Sequence, residues 1–285
     1  MKNRQKNMPI FQNGIIIWRL VETNELLNCN MFGENVLVYY NSYANPPIPE
    51  GYRHVHGEWN TGFVIEKETD GSQFVWVPVG SFIPCEKMSE ENLFGEFAKN
   101  IDENLRKQLL SIQKYGGFYI SRYNISKSEE GMPLSVKGNM PWTKIDFDEA
   151  KKVAASVETG LLVSSQLTFD IEFDLVLLWF IKSGAKKLWE IKYDSTEWGN
   201  YWNTKNSPQA VAKTGSREEW CVNGIYDFAG NIDEWTQSHE KGVSCVARGS
   251  DCDGAGHFCP VISRHYHSTN ASYSNTGFRI TLYIE

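Results

Sequence analysis

A stretch of about a hundred residues without lasting periodicity constrains this chain more than any other feature. Over roughly the last third, Gly, Asn, Ser, Trp and Tyr dominate. Only short strand-like runs such as SCVARG and GFRITLYI interrupt them. Neither the helical period of about 3.6 residues nor the strand period of two is sustained there. An irregular segment of this length survives in a compact domain only when laid over a rigid base, and such segments usually carry function. The base must therefore come from the residues before it.

Those residues do carry periodic segments. GFVIEKETDGSQFVWVPVG reads as a hairpin, two β-rich runs around a turn with Asp70-Gly71. SEENLFGEFAKNIDENLRKQLLSIQKYGG reads as mostly helical, with Ser89 as N-cap and Gly116-Gly117 as stop. GFYISRYNIS alternates: Phe118, Ile120 and Arg122 face one way, Tyr119, Ser121 and Tyr123 the other. Two main helices follow. DFDEAKKVAASVETG opens on Asp146 with Glu149 three residues on, a capping-box spacing, and closes at Gly160. SSQLTFDIEFDLVLLWFIKSG is capped by Thr168, has Asp170 and Glu172 at its positive end, and stops at Gly184. Its middle is apolar all round, which places it deep in the fold. Residues 1–48 contain strand-like runs and end in a proline-rich stretch that reads as a boundary, leaving 49–285 as the main domain.

The net charge of −7 and the lack of any Lys/Arg block argue against a nucleic-acid partner. No apolar run is long enough to span a membrane, and LVLLWFI is short enough to be a buried helix. The first residues lack the apolar stretch and cleavage site of a secretory signal, so the expectation is synthesis in the cytoplasm; the final location stays open between cytoplasm, virion and cell surface. The cysteines form no CxxC pair, which leaves no zinc-knuckle spacing and points to reduced thiols.

Several motifs, in order, then become informative together. They are GGFYISRYNIS, MPWTKIDFDEAKKVAASV, SSQLTFDIEFDLVLLWFI, NGIYDFAGNIDEWT, and RGS followed by NTGFR. This set resembles the formylglycine-generating enzyme family, with NGIYDFAGNIDEWT the strongest match through Gly224, Tyr226, Asp227, Gly230, Asn231, Glu234, Trp235 and Thr236. The resemblance covers roughly residues 60 to 285. It implies an α+β domain with a C-type lectin-like fold: small twisted antiparallel or mixed sheets, two main helices and long C-terminal loops. Asn231, Asp233 and Glu234 offer oxygens suited to a hard cation, and the resemblance implies calcium as the ion.

The family's oxidase chemistry uses two copper-binding cysteines with four residues between them. Here Cys252 and Cys259 have six between them, so a copper-dependent oxidase built on this pair is the rival reading. His257, His265 and His267 could join Cys252 or Asp253 in a metal site, but His265 and His267 would point to one side only on a strand.

The same motifs resemble a second group on this fold, the variable proteins of diversity-generating retroelements. Their varied positions descend from asparagine codons with randomised adenines, which cannot encode Lys, Glu, Gln, Met or Trp. None of these five types occurs between Gly249 and Gly277. The resemblance implies a non-catalytic, ligand-binding protein, carried on a phage or a bacterial surface, with a variable region over 250–276. The contact residues would be Asp251, Cys252, Asp253, His257, Phe258, Cys259, His265, Tyr266, His267, Ser268 and Tyr273. Arg248, Gly249, Pro260, Arg264 and Gly277-Phe278-Arg279 would be frame. On this reading the partner is a protein or surface ligand, and residues 1–48 attach the chain to an assembly or form a homo-oligomer.

Overall fold

A computed structural model describes residues 46–160, 162–238 and 246–285, together with four short strands among the first 45 residues. Those strands pair as two hairpins, Pro9–Gln12 with Ile15–Trp18 and Leu27–Cys29 with Glu34–Val36. The attachment or oligomerisation expected of residues 1–48 otherwise lies outside the described residues.

The base is a six-stranded antiparallel sheet. Its strands are β1 (Tyr52–His56), β2 (Val64–Lys67), β3 (Gln73–Val77), β4 (Phe118–Ser121), β5 (Val163–Leu167) and, last in the chain, Ile280–Ile284. The spatial order is β5, the C-terminal strand, β4, β3, β2, β1. The β2–β3 hairpin turns where expected: Asp70 accepts from the Ser72 N–H at 2.8 Å, and Gly71 takes a positive φ. The alternation of β4 holds, but both of its faces are buried. Phe118 and Ile120 join one core and Tyr119 the other.

Helices cover both faces. The segment expected as one helix is broken into Glu90–Phe94, a 3₁₀ stretch at Gly95–Asn100, and α1 (Glu103–Tyr115). Gly95 sits at a positive φ that ends the first piece, and Asp102 caps α1 through the Asn104 N–H. Ser89 and Gly116 act as expected at the outer ends. Leu105, Leu109 and Ile112 of α1 pack with Val75, Val77 and Ile120. On the opposite face lies α2 (Phe147–Ala155), whose Ala150 and Ala154 meet Tyr119, Leu167 and Leu282. Asp146 caps it through the Glu149 N–H at 2.8 Å, and the helix ends at Ala155, short of Gly160.

The apolar helix α3 (Asp170–Lys182) is buried from Phe173 to Phe180, as its sequence required. Its cap differs from expectation. Thr168 donates instead to the Arg279 carbonyl, and the Glu172 carboxylate accepts from the Phe169 N–H at 2.8 Å.

A smaller sheet carries the C-terminal third. It contains β6 (Asp233–Thr236), β7 (Val246–Arg248), β8 (Arg264–His265) and β9 (Thr276–Phe278), in the order β8, β7, β6, β9. β6 and β9 run parallel, while the other pairs are antiparallel. Trp235 and Phe278 of this sheet join the same core as α2. The strand Ile280–Ile284, here β10, continues from β9 into the large sheet, between β5 and β4. The fold is mixed α+β, with the few helices, small sheets and long C-terminal loops expected of the lectin-like class. No helix among the described residues is long and apolar enough to cross a membrane.

Candidate functional site

The C-terminal third leaves the small sheet twice, once between β7 and β8 and once between β8 and β9. Both loops are bonded through their backbones to neighbouring segments. Gly256 accepts from the Ser195 N–H at 3.0 Å, and Gly254 accepts from the Trp202 N–H at 3.0 Å. Tyr273 accepts from Lys144 at 2.8 Å, and Asn275 from Asp233 at 2.9 Å. A side chain at Gly256 would meet the Thr196 backbone nitrogen at 2.5 Å, so only glycine allows this approach.

Two arginine clusters fix the frame. Asp170 and Asp174 stand one helical turn apart on α3 and share two arginines. Arg248, fully buried, reaches both carboxylates, Asp174 at 2.6 Å, and lies over the Phe173 ring at 4.6 Å. Arg264 reaches Asp174 at 2.6 Å and Asp170 at 3.3 Å from the half-exposed side. Arg279, also fully buried, pairs with Glu234 at 2.8 Å and donates to the Ser121 and Tyr226 carbonyls. Gly249, Pro260, Gly277 and Phe278 are buried as well. The residues expected as frame are therefore structural, with Arg264 the one that surfaces.

The expected contact residues divide into three groups. Asp253, His257, Phe258, Tyr266 and Ser268 are exposed, and Phe258 and Tyr266 reach 80% and 78% exposure. Asp251, Cys259, His265, His267 and Tyr273 are half-buried. Cys252 is buried at 2% exposure, which corrects its place among the contact residues: its thiol faces inward. Asp251 is turned into the loop, accepting from the Asp253 and Gly254 N–H groups at 2.9 and 3.1 Å and from Asn275. Trp202 is 54% exposed beside Gly254 and extends the aromatic surface. Asn203 holds the same loop, donating to His257 Nδ1 at 3.1 Å and accepting from the Gly256 N–H. The sequence signal for both was weak: an aromatic in the polar run GNYWNTKN.

The histidines separate. His257 goes to Asn203, whereas His265 and His267 both turn to Asp233 on β6. Neither joins Cys252 or Asp253. His265 Nδ1 lies 2.9 Å and His267 Nε2 3.1 Å from Asp233 Oδ2. His267 packs on Tyr273, ring centroids 4.5 Å apart, and edge-on to Trp235. Burial alone would raise the Asp233 carboxyl, but the hydrogen bonds from His265 and His267 outweigh it and hold it below the ordinary range. The hydrogen bond to Asp233 correspondingly raises His265. Among the described residues, Asp233, His265 and His267 form the group of three whose ligand atoms converge, all within 4.8 Å of one another.

The oxygens expected to hold calcium do not act together. Asn231 accepts from Asn200 and from the Ala212 N–H, Glu234 serves Arg279 and Asn124, and Asp233 serves the histidines. Both cysteines of the rival reading have thiols raised above the ordinary range. Burial, with Asp253 and Asp251 behind it, pushes the Cys252 thiol up to about 12. Burial, then Asp233 and Asp251, raises Cys259.

No protein-family model matches the chain, and no curated protein does. Solved structures of distantly similar architecture include variable protein 1 of Treponema denticola, with 15% identity and a TM-score of 0.42 over 58% of this chain and 84% of that one. PvdO from Pseudomonas aeruginosa shows 15% identity and a TM-score of 0.44, over 59% and 81%. CarF shows 14% identity and a TM-score of 0.41, over 59% and 87%. Likeness this distant says nothing about ligand, activity or partner.

Proposed function

We propose that this chain is a non-catalytic ligand-binding protein whose recognition surface is the C-terminal region 250–276, of the kind displayed by retroelement variable proteins. The observation that supports the reading is the separation of frame from face. Arg248 and Arg279 are fully buried in ion pairs, while Asp253, His257, Phe258, Tyr266 and Ser268 project from loops whose backbones are tied down. Such a surface can change its side chains without disturbing the core. Exposed aromatics offer contact area at low entropic cost, and Ser and Asp add hydrogen bonds. The partner is a protein or surface ligand on a phage target or bacterial exterior.

A library randomised at these five exposed positions tests the reading. Most members are expected to fold with thermal midpoints close to that of the parent chain, and selection against a fixed protein target yields binders. General loss of folding would defeat it. Sequencing the flanking DNA tests diversification itself: a near-identical repeat differing at adenines, beside a reverse transcriptase gene, is the expected finding. The rival oxidase reading makes the opposite forecast for monovalent copper. One tightly bound equivalent, lost in both Cys252→Ser and Cys259→Ser, would replace ligand binding by oxidase chemistry.

A further inference from the structure

We infer that Asp233, His265 and His267 form a binding site for one divalent ion of the zinc class, open to solvent at the C-terminal face. Asp233 lies more than thirty positions before the two histidines in sequence, yet both imidazoles aim at its same carboxylate oxygen, at 2.9 and 3.1 Å. Zinc-class ions hold nitrogen and oxygen ligands at about 2.1 Å, so two ligands of one ion stand about 3.0–3.4 Å apart. The two His–Asp separations are already near that spacing, and the three ligand atoms all lie within 4.8 Å. A small closing of the two rings completes one face of a coordination shell.

The supporting contacts favour this use. Asp233 is 2% exposed and sits on β6, whose backbone is paired on both sides, with β7 and β9. Because side chains alternate along a strand, Asp233 and Trp235 share a side. His267 therefore meets the carboxylate at its tip and the indole edge along its ring, with Tyr273 against it. Packing of this kind fixes the orientation of the His267 ring toward the carboxylate. Two imidazoles and one carboxylate suit zinc-class ions, whereas calcium takes oxygen ligands alone. The His265 and His267 side chains remain 30% and 24% exposed, so further coordination positions face solvent. An oxygen or nitrogen donor from outside can occupy them. The site uses neither cysteine, and it stands whether or not the loops recognise a partner.

The test is a titration of chelator-treated full-length protein with Zn²⁺ in competition with a chromogenic chelator. One equivalent is expected to bind, and Co²⁺ is expected to give the visible absorption of a nitrogen–oxygen site. His265→Ala and His267→Ala should each weaken Zn²⁺ by about 10–100-fold, while His56→Ala, on the far strand β1, leaves it unchanged. Absence of stoichiometric binding, or unchanged binding in the His265→Ala/His267→Ala double variant, overturns the inference. A measurement on the unmodified chain guards against misfolded variants. Under diethyl pyrocarbonate, read by mass spectrometry, Zn²⁺ should protect His265 and His267 and leave His56 reacting at its metal-free rate. Equal protection of all three, or of none, also overturns it.

Discussion

At the scale of single residues, the C-terminal region holds its most and least replaceable side chains close together in the chain. Arg248 has no exposed surface and neutralises Asp170 and Asp174 together. Arg248→Met removes the guanidinium that lies over Phe173 and leaves two mostly buried carboxylates to Arg264 alone. A loss of about 3 kcal/mol in unfolding free energy is expected, read by urea denaturation. Ten residues on, Phe258 is 80% exposed, and Phe258→Ala should change the same quantity by less than about 0.5 kcal/mol. A large loss there would mean that the aromatic is part of the core. The distinction was legible in the sequence for Arg248, through the RGS motif, and for Phe258, through its place among variable-looking positions. It was not legible for Cys252, because which side of a loop faces inward depends on what the loop packs against.

At the scale of elements, the segment NGIYDFAGNIDEWT works as a turn that delivers a strand. Gly230 takes a φ of 68° where its backbone runs parallel beside Asn200, and a Cβ there would lie 2.5 Å from the Asn200 carbonyl oxygen. Gly230→Ala must therefore strain the backbone and separate two bridged segments. A destabilisation of about 2–4 kcal/mol is expected in thermal or urea unfolding. A variant as stable as the parent would show that this bridge is loose. Turns, caps and alternation of this kind could be read in advance, because each depends on residues close in sequence. Asp146 at the start of α2, Asp70-Gly71 between β2 and β3, and the two-sided alternation of β4 all behaved as read. The α3 cap did not. Thr168 was drawn away by the Arg279 carbonyl, a partner 111 residues distant, and Glu172 took over the orphan N–H.

At the scale of the whole molecule, three buried carboxyls link stability to pH. Burial, more than any other cause, pushes Glu172 and Glu234 up to about 7 and Asp227 up to about 6. Hydrogen bonds to Glu172 from Phe169, Gln108 and Thr281 offset burial without cancelling it. In the unfolded chain these groups titrate near their ordinary values, about 4. Between about pH 4.5 and 7 the folded state thus holds more protons, and stability falls as pH rises through that window. Asp233, Glu66 and Glu218 are held low in the fold, so their contribution is lost only as pH falls below the ordinary carboxylate range. The urea midpoint should therefore be highest near pH 5 and decline towards pH 7.5. A midpoint that rises over that range would place these carboxyls in ionised, well-solvated surroundings.

The sequence by itself determined the class of the fold, the buried helix α3, the frame arginines and the location of the irregular surface. The buried helix and the irregular surface follow from periodicity and turn chemistry, which are properties of neighbouring residues; the fold class and the frame arginines are what the resemblance of the ordered motifs implies. Only the tertiary structure decided which titratable side chains meet. Asp233 was read as one of three oxygens beside Asn231 and Glu234, and His265 and His267 as companions of Cys252 or Asp253. Strand alternation turns Glu234 away from Asp233 toward Arg279, and antiparallel pairing of β7 with β8 brings His265 across to β6. Convergence of this kind is set by register between strands more than thirty residues apart, and no local pattern specifies it.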